Sequence, residues 1–171
     1  MPWAMHEPLP FEKRLEWVRT QRGHFDLGAD YCYGVFLKDS GLLIGVCLLR
    51  MTMEPNERDI GYWIHAEHLR RGYAFEAACA LVRLGFDLEA LESVLLRTLP
   101  ENAASCRIAE KLGFLGPELD PLSFPTAEGD KRDTWVFHLP RVVYAQSQAR
   151  SFELRAFDVL DREIPMAIHR R

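Results

Sequence analysis

The fold is decided by the stretch from Asp59 to Phe86, which has the sequence DIGYWIHAEHLRRGYAFEAACALVRLGF. From Ile60 to Ile64 every second position carries an apolar residue, which is the alternation typical of a β-strand. From Ala74 onward the apolar residues recur at steps of three and four, which is the spacing of one face of an α-helix. The stretch therefore predicts a strand, a turn and a helix in succession.

The turn between the predicted strand and helix carries two arginines and a glycine, Arg70, Arg71 and Gly72. Because the turn leads directly into the helix, its backbone N–H groups lie at the positive end of the helix dipole. Free amides, the dipole and two guanidiniums together form a site suited to a phosphate or pyrophosphate. A solvated turn with solvated arginines is the alternative that these residues alone leave open.

A second informative stretch, LPENAASCRIAEKLGF, occupies residues 99–114 and follows a predicted buried strand at residues 93–98. Asn102 is a favourable residue for the N-cap of a helix. Gly113 is suited to the left-handed conformation that ends one. We therefore expect a short helix over residues 103–112.

Taken together, the two stretches resemble the acetyl-CoA site of GNAT N-acetyltransferases, in particular the branch similar to ribosomal-protein N-terminal acetyltransferases (the alanine and serine enzymes). Gly72 and Ala74 match the last two fixed positions of the family pattern Arg/Gln-x-x-Gly-x-Gly/Ala, whereas Leu69 stands where Arg or Gln is usual. This departure removes one side-chain donor. It is tolerable because the family's phosphate contacts are mostly backbone amides. The resemblance covers about residues 30–139. It implies an α/β fold, with a mixed, twisted β-sheet flanked by helices and without the family's usual N-terminal strand and helix.

The length of 171 residues suits one domain with one core. We assign residues 1–140 to the acetyltransferase domain and residues 141–171 to a C-terminal extension. A first helix is predicted over residues 11–25, with Phe11, Leu15 and Val18 on its apolar side. The other predicted elements are strands at residues 31–37, 42–51, 114 onward and 133–139, a hairpin turn at 38–41, a helix at 141–150 and a hairpin-like segment at 152–164.

The composition restricts the classes of function. A net charge of −4 argues against a general nucleic-acid binder and favours the attraction of amine substrates. The sequence has no apolar run long enough to cross a membrane and no secretory signal at its start. Four cysteines without CxxC spacing indicate reduced thiols in a cytoplasmic protein. These are Cys32, Cys47, Cys79 and Cys106.

The resemblance implies acetyl-CoA as the co-substrate, with its pantetheine arm in a gap between two splayed parallel strands. We assign these strands to residues 60–64 and 93–98. A backbone N–H within residues 62–64 would then bind the thioester oxygen, whereas Trp63 has the alternative of being plain core. The residues implied in binding the cofactor are Tyr62, Trp63, Ile64, Arg70, Arg71, Gly72, Tyr73, Ala74, Asn102 and Ser105.

Acetyl transfer to an amine needs a base for the nucleophile and an acid for the departing thiolate. Ser105 is the candidate acid, since it lies on the apolar face of its helix and the resemblance places the CoA sulfur nearby. The alternative is that its hydroxyl bonds local backbone as the third residue of a capped helix. Asp59 and Glu57 are the candidate bases, and solvated strand-end carboxylates are the alternative. His65 and His68 lack a third ligand nearby in sequence, so we expect no metal.

The expected reaction is therefore acetyl transfer from acetyl-CoA to a primary amine, and the resemblance favours the N-terminal α-amine of a protein or peptide. A small-molecule acceptor (an amino acid, a polyamine or an antibiotic) and a non-catalytic CoA-binding module are the alternatives. The strand at residues 31–37 would lack its usual neighbour. We expect the segment at residues 152–164 to cover exposed sheet, in its own chain or across a homodimer, with a loosely ordered tail as the alternative.

Overall fold

The structure, a computed structural model, describes residues 10–87, 89–120 and 133–147. The predicted helices and strands within these ranges are all present, with ends that differ by a few residues. The predicted segment at residues 152–164 lies outside the described residues. The elements are α1 (Phe11–Asp26), β1 (Asp30–Phe36), β2 (Leu43–Met51), β3 (Glu57–Ile64), a short 3-10 helix (Ala66–His68), α2 (Tyr73–Asp87), β4 (Ser93–Thr98), α3 (Ala103–Lys111), β5 (Leu115–Leu119), β6 (Trp135–Pro140) and α4 (Arg141–Ser147).

The described strands form one mixed sheet in the order β1-β2-β3-β4-β6-β5. Strands β3 and β4 are parallel, and the other neighbouring pairs are antiparallel. The parallel pairing joins residues 57–60 of β3 to residues 93–96 of β4 and then stops. Beyond Ile60, β3 continues its pairing with β2, whereas the end of β4 pairs with β6. The two parallel strands therefore diverge and leave a gap between them, as predicted.

The main core lies between the sheet and the helices α2 and α3. We call the side of the sheet that carries Ile60 and Tyr62 the helix face, because both side chains pack in the cluster formed with these helices. Asp59, Gly61 and Trp63 lie on the opposite face, since successive side chains of a strand alternate. The helical spacing predicted one apolar face on α2, and all of its residues are buried except Ala74, which is half-buried. The buried residues are Ala77, Ala78, Leu81, Val82, Gly85 and Phe86.

Helix α1 forms where the sequence predicts it, but its apolar side is not buried. Val18 is 57% exposed and Leu15 is 37% exposed. The helix contacts the sheet near its C-terminal end, where the ring of Phe25 makes edge contacts with Tyr31 and Tyr33 at centroid distances of 5.3 and 5.9 Å. The amphipathic pattern thus predicted the helix correctly, and the structure leaves two residues of its apolar side exposed.

Strand β1 ends the described sheet on one side, and β5 ends it on the other. Phe36 of β1 is half exposed, and all five residues of β5 are exposed. The four cysteines are free thiols, of which Cys47 and Cys106 are buried. Within the described ranges, the helices are too short or too polar to span a membrane.

Candidate active site

The turn at residues 69–74, which we call the anion turn, has the backbone conformation of a helix N-terminus open to a ligand. Gly72 has a φ of +91°, a conformation that glycine adopts at little cost. Its carbonyl accepts the amide of Glu76 at 3.0 Å, which begins the α2 ladder and leaves the earlier amides without helical acceptors. A side chain at position 72 would meet only the Glu76 carboxylate, at 3.7 Å. Backbone conformation rather than crowding therefore requires the glycine.

The two arginines of the anion turn are exposed to solvent. Within the described residues, neither Arg70 nor Arg71 forms an ion pair. Arg70 adopts a φ of +59°, which is uncommon for a residue with a side chain. Both guanidiniums are thus available to an anion beside the free amides of α2.

Aromatic rings run from the end of β3 to the start of α2, next to the anion turn. Trp63 contacts His65 at 6.1 Å between ring centroids, His65 lies 6.2 Å from His68, and His68 lies 6.5 Å from Tyr73. Trp63 is 40% exposed, so the alternative that it is plain core is wrong. Among the described residues, His65 and His68 do not belong to a group of three side chains placed to hold a metal ion.

Helix α3 presents Ser105 toward the helix face of the sheet. Asn102 caps this helix as predicted, since its side-chain oxygen accepts the backbone N–H of Ser105 at 3.2 Å. Gly113, with a φ of +79°, follows the end of the helix. The cap uses the amide of Ser105 and not its hydroxyl, and we find no bond from that hydroxyl to local backbone in the described structure.

Tyr62 lies beyond the point where β3 and β4 diverge. Burial raises the pKa of Tyr62 to about 12, although the interaction with Ser105 lowers it. The Tyr62 hydroxyl is buried, and it has no hydrogen bond among the described residues.

Asp59 lies on the opposite face in a buried ion cluster with Arg50, Arg97 and Asp120. The closest contact joins Nη2 of Arg50 to Oδ2 of Asp59 at 2.6 Å. Nη1 of Arg97 is 3.6 Å from the same oxygen, and Nε of Arg97 is 2.8 Å from Oδ2 of Asp120. Asp59 is only 4% exposed, so the alternative of a solvated strand-end carboxylate is wrong for this residue.

The protonation of Asp59 reflects two opposing effects. Burial raises the pKa of its carboxyl group, and the charges of Arg50 and Arg97 lower it by less. Its second oxygen, Oδ1, is buried and accepts no hydrogen bond from the described residues. Glu57, the other candidate base, is half-buried at the start of β3 and pairs in register with Ser93. It therefore lies farther along β3 from the gap than Asp59 does.

Three members of the ion cluster were not predicted from the sequence: Arg50, Arg97 and Asp120. The sequence contains an indication of this cluster, because Arg50 and Arg97 interrupt strands that are otherwise largely apolar. A charge in a buried strand needs a partner of opposite sign. The pattern could have predicted that a partner exists, but not which residue supplies it.

The chain resembles known acetyltransferases in sequence. The family described as the Acetyltransferase (GNAT) domain matches residues 1–115. The uncharacterized N-acetyltransferase p20 of Bacillus licheniformis is 29% identical over 114 residues, which cover 66% of this chain and 64% of that protein. Such matches span between 48% and 64% of the length of the curated relatives.

Solved structures resemble the chain in fold. A Vibrio cholerae protein provisionally assigned as a ribosomal-protein-serine acetyltransferase is 28% identical, with a TM-score of 0.64 over 73% of this chain and 72% of that one. A GNAT-family acetyltransferase from Bacillus anthracis has a TM-score of 0.69 at 21% identity, over 79% of this chain and 77% of that one. The family match covers well over half of the chain, and the diverging strands and the anion turn agree with it. The chain therefore belongs to the GNAT acetyltransferase family.

Proposed function

We propose that this protein transfers an acetyl group from acetyl-CoA to a primary amine, and that the amine is the N-terminal α-amine of a protein or peptide. One observation carries the proposal. Asp59 lies on one face of the sheet beside the point where β3 and β4 diverge, and α3, the helix that carries Ser105, packs on the other face. An acid and a base on opposite sides of a gap suit the attack of an amine on a thioester held between them.

The anion turn is the proposed site for the pyrophosphate of acetyl-CoA. Amides at the start of α2 would hold the phosphate oxygens, with Arg70 and Arg71 as charged partners, and Tyr73 and Ala74 as the first residues of the helix. The open space at Gly72 would let the phosphate approach the backbone. Asn102, at the start of α3, would border the pantetheine arm.

The backbone of residues 61–64 supports the proposed position of the thioester. In the described sheet these residues pair with β2 on one side and have no partner on β4. A backbone N–H within residues 62–64 would therefore donate to the thioester oxygen as negative charge develops on it, with Trp63 at the border of the site. Donors fixed in this way stabilise a transition state because they need no reorganisation.

Asp59 is the proposed acceptor for the proton of the amine. Its free Oδ1 could take a proton while Oδ2 keeps its ion pairs. The raised pKa makes the carboxylate a stronger base than an ordinary aspartate, which favours general base catalysis near neutral pH. Glu57 is the second candidate, acting through water from the start of β3. Ser105 is the proposed acid that protonates the departing thiolate.

The proposed acceptor class is supported by the ribosomal-protein-serine assignment of the Vibrio cholerae relative and by the net charge of −4. The test is thiol release from acetyl-CoA with a panel of acceptors. The panel contains serine- and alanine-initiated peptides, the same peptides with a blocked N-terminus, spermidine and an amino acid, and mass spectrometry locates the acetyl group.

We expect acetylation at the α-amine of the free peptides and none of the blocked ones. Acetylation of spermidine or the amino acid alone would favour a small-molecule enzyme. Binding of CoA without turnover of any acceptor would favour a CoA-binding module. The Ser105→Ala variant serves as the matched control for background thiol release.

We also propose that the protein acts in the cytoplasm as a homodimer and without a metal. The four free thiols suit a reducing compartment. Exposed Phe36 and Leu43 at the β1 end of the sheet suit contact with a second copy. Sedimentation of the full chain tests assembly, and thiol release with and without a chelator tests metal dependence. A monomer, or activity lost to the chelator, would contradict the corresponding part.

A further inference from the structure

The end of α3 places a positive charge beside the start of α2, and the proposed function does not use it. Lys111 is the last residue of α3, and its ammonium nitrogen lies 5.9 Å from the centroid of the Phe75 ring. Phe75 is the third residue of α2 and follows directly after the anion turn. The contact therefore joins Lys111 to the region of the anion turn, although β4 separates the two helices in sequence.

The charge of Lys111 is not neutralised within the part of the chain that the structure describes. The residue is exposed, and the ion pairs among the described residues do not include it. Four positions earlier, α3 carries Arg107, a like charge that repels the ammonium. The Phe75 ring attracts the ammonium through its quadrupole but does not cancel its charge. Lys111 is thus available to a negatively charged ligand.

The start of α2 has an excess of positive charge. Arg70 and Arg71 precede the helix, Lys111 lies over its first turn, and the helix dipole adds positive potential. Glu76 in the first turn and Glu110 beside Lys111 in sequence carry the opposite charge. This excess contrasts with the net charge of −4 for the whole chain. The site therefore suits a ligand that carries more than one phosphate group.

We propose that Lys111 binds the 3′-phosphate of acetyl-CoA and thereby distinguishes this cofactor from one that lacks the phosphate. The inference rests on the proposed function, in which the anion turn holds the pyrophosphate. Coenzyme A carries its pyrophosphate and its third phosphate on the 5′ and 3′ oxygens of the same ribose, so the two groups bind near each other. A cation that another helix brings beside the anion turn is placed for the third phosphate, with which it forms a charge-assisted contact.

A purely structural role for Lys111 predicts a different result. A cation in the last turn of a helix is favoured by the helix dipole, so Lys111 could stabilise α3 without any ligand. Removing the charge would then lower the free energy of unfolding and leave the affinity for CoA unchanged. Measurements of cofactor binding therefore separate the two roles.

The experiment titrates the full chain with CoA and with 3′-dephospho-CoA by calorimetry. We expect wild type to bind CoA about fivefold more tightly than dephospho-CoA, which is the effect of one favourable exposed ion pair. Lys111→Met should bind both molecules as wild type binds dephospho-CoA. Lys111→Arg keeps the charge and should retain most of the preference. The preference of wild type should shrink as salt is raised.

Arg107→Met is the matched control, because Arg107 is an exposed cation one turn earlier on the same helix, whereas Lys111 is the cation over the Phe75 ring. This variant should keep the preference for CoA within about twofold of wild type. An equal loss in the Arg107 and Lys111 variants would indicate general attraction by the basic surface and would overturn the inference. So would a Lys111→Met protein that keeps the preference of wild type.

The same titrations separate the inference from the proposed function. A wild-type protein that binds CoA and dephospho-CoA equally rejects the role of Lys111 and leaves the anion turn as the pyrophosphate site. A wild-type protein that binds neither molecule rejects the proposed cofactor, and the inference with it.

Discussion

The anion turn and the ion cluster each contain two arginines, and the tertiary structure gives the two pairs different surroundings. Arg70 and Arg71 are exposed, and neither has an ion pair among the described residues. Arg50 and Arg97 are mostly buried and share the carboxylates of Asp59 and Asp120. The first pair can meet an anionic ligand at small cost, whereas the second is already neutralised inside the protein.

The two pairs differ in how far folding removes them from water, and this difference decides whether an arginine is paired inside the protein or left available to a ligand. A buried charge is costly unless it is paired, so the ion cluster contributes to folding only while all its members are present. An exposed arginine costs little to leave unpaired and adds little to stability. We therefore expect the loss of a cluster arginine to lower stability, the loss of the Asp59 charge to lower catalysis, and changes in the anion turn to affect binding alone.

The largest expected effect is that of Asp59→Asn, which removes the negative charge between two arginines. Because the pKa of Asp59 is raised, folding favours its uncharged form, so the neutral amide should cost little unfolding free energy at neutral pH. Loss of the proposed base should lower kcat by about a hundredfold or more. Urea unfolding and thiol release measure the two quantities. Asp26→Asn is the control, because its ion pair with Arg22 is exposed. A fully active Asp59→Asn protein would contradict the role of Asp59 as the base, and a large loss of unfolding free energy would contradict the raised pKa.

The second prediction concerns Gly72→Glu, which adds a side chain and a negative charge where the pyrophosphate is proposed to lie. The affinity for CoA should fall well over tenfold, which corresponds to about 1.4 kcal/mol or more. A side chain at the positive φ of Gly72 is strained, but the turn is exposed and the space is open, so the rest of the fold should remain. Calorimetric titration with CoA measures the change. Gly41→Glu is the matched control, since Gly41 also has a positive φ, +67°, and faces open space but lies between β1 and β2. Unchanged affinity in folded Gly72→Glu would rule out the assignment.

The third prediction separates the two arginine pairs directly. Replacing Arg70 and Arg71 together by alanine should weaken CoA binding several-fold, with an effect that shrinks as salt is raised. The free energy of unfolding should change by less than about 0.5 kcal/mol. Arg97→Ala should show the reverse, with a clear loss of stability and no direct effect on pyrophosphate binding. The comparison breaks down if both variants lose stability equally.

The smallest expected effect is a pH dependence that belongs to Asp59. Because its pKa is raised from the ordinary value of 3.8, the folded state binds this proton more tightly than the unfolded state does. The ionisation of Asp59 therefore lowers the free energy of unfolding as the pH rises from the ordinary pKa to the raised one. Loss of the same proton activates the proposed base, so activity should appear over the same pH range. Unfolding of wild type and Asp59→Asn across pH isolates the contribution. Parallel curves would mean that the pKa is not raised.

The sequence by itself determined the parts of this protein that depend on near neighbours. The alternation at Ile60 to Ile64 and the helical spacing from Ala74 predicted β3 and α2, because periodicity is a local property. Asn102 and Gly113 predicted the ends of α3, because capping acts within one turn. The anion turn could be located for the same reason.

Only the tertiary structure decided which side chains are buried, paired or left over. Asp59 became a buried ion-pair partner because β2 and β4 bring Arg50 and Arg97 beside it. Trp63 is exposed although its sequence suggested core equally well. The hydroxyl of Tyr62 is buried without a hydrogen-bond partner among the described residues. These relations join residues that are distant in sequence, and burial and charge pairing depend on distances that only the assembled sheet and helices define.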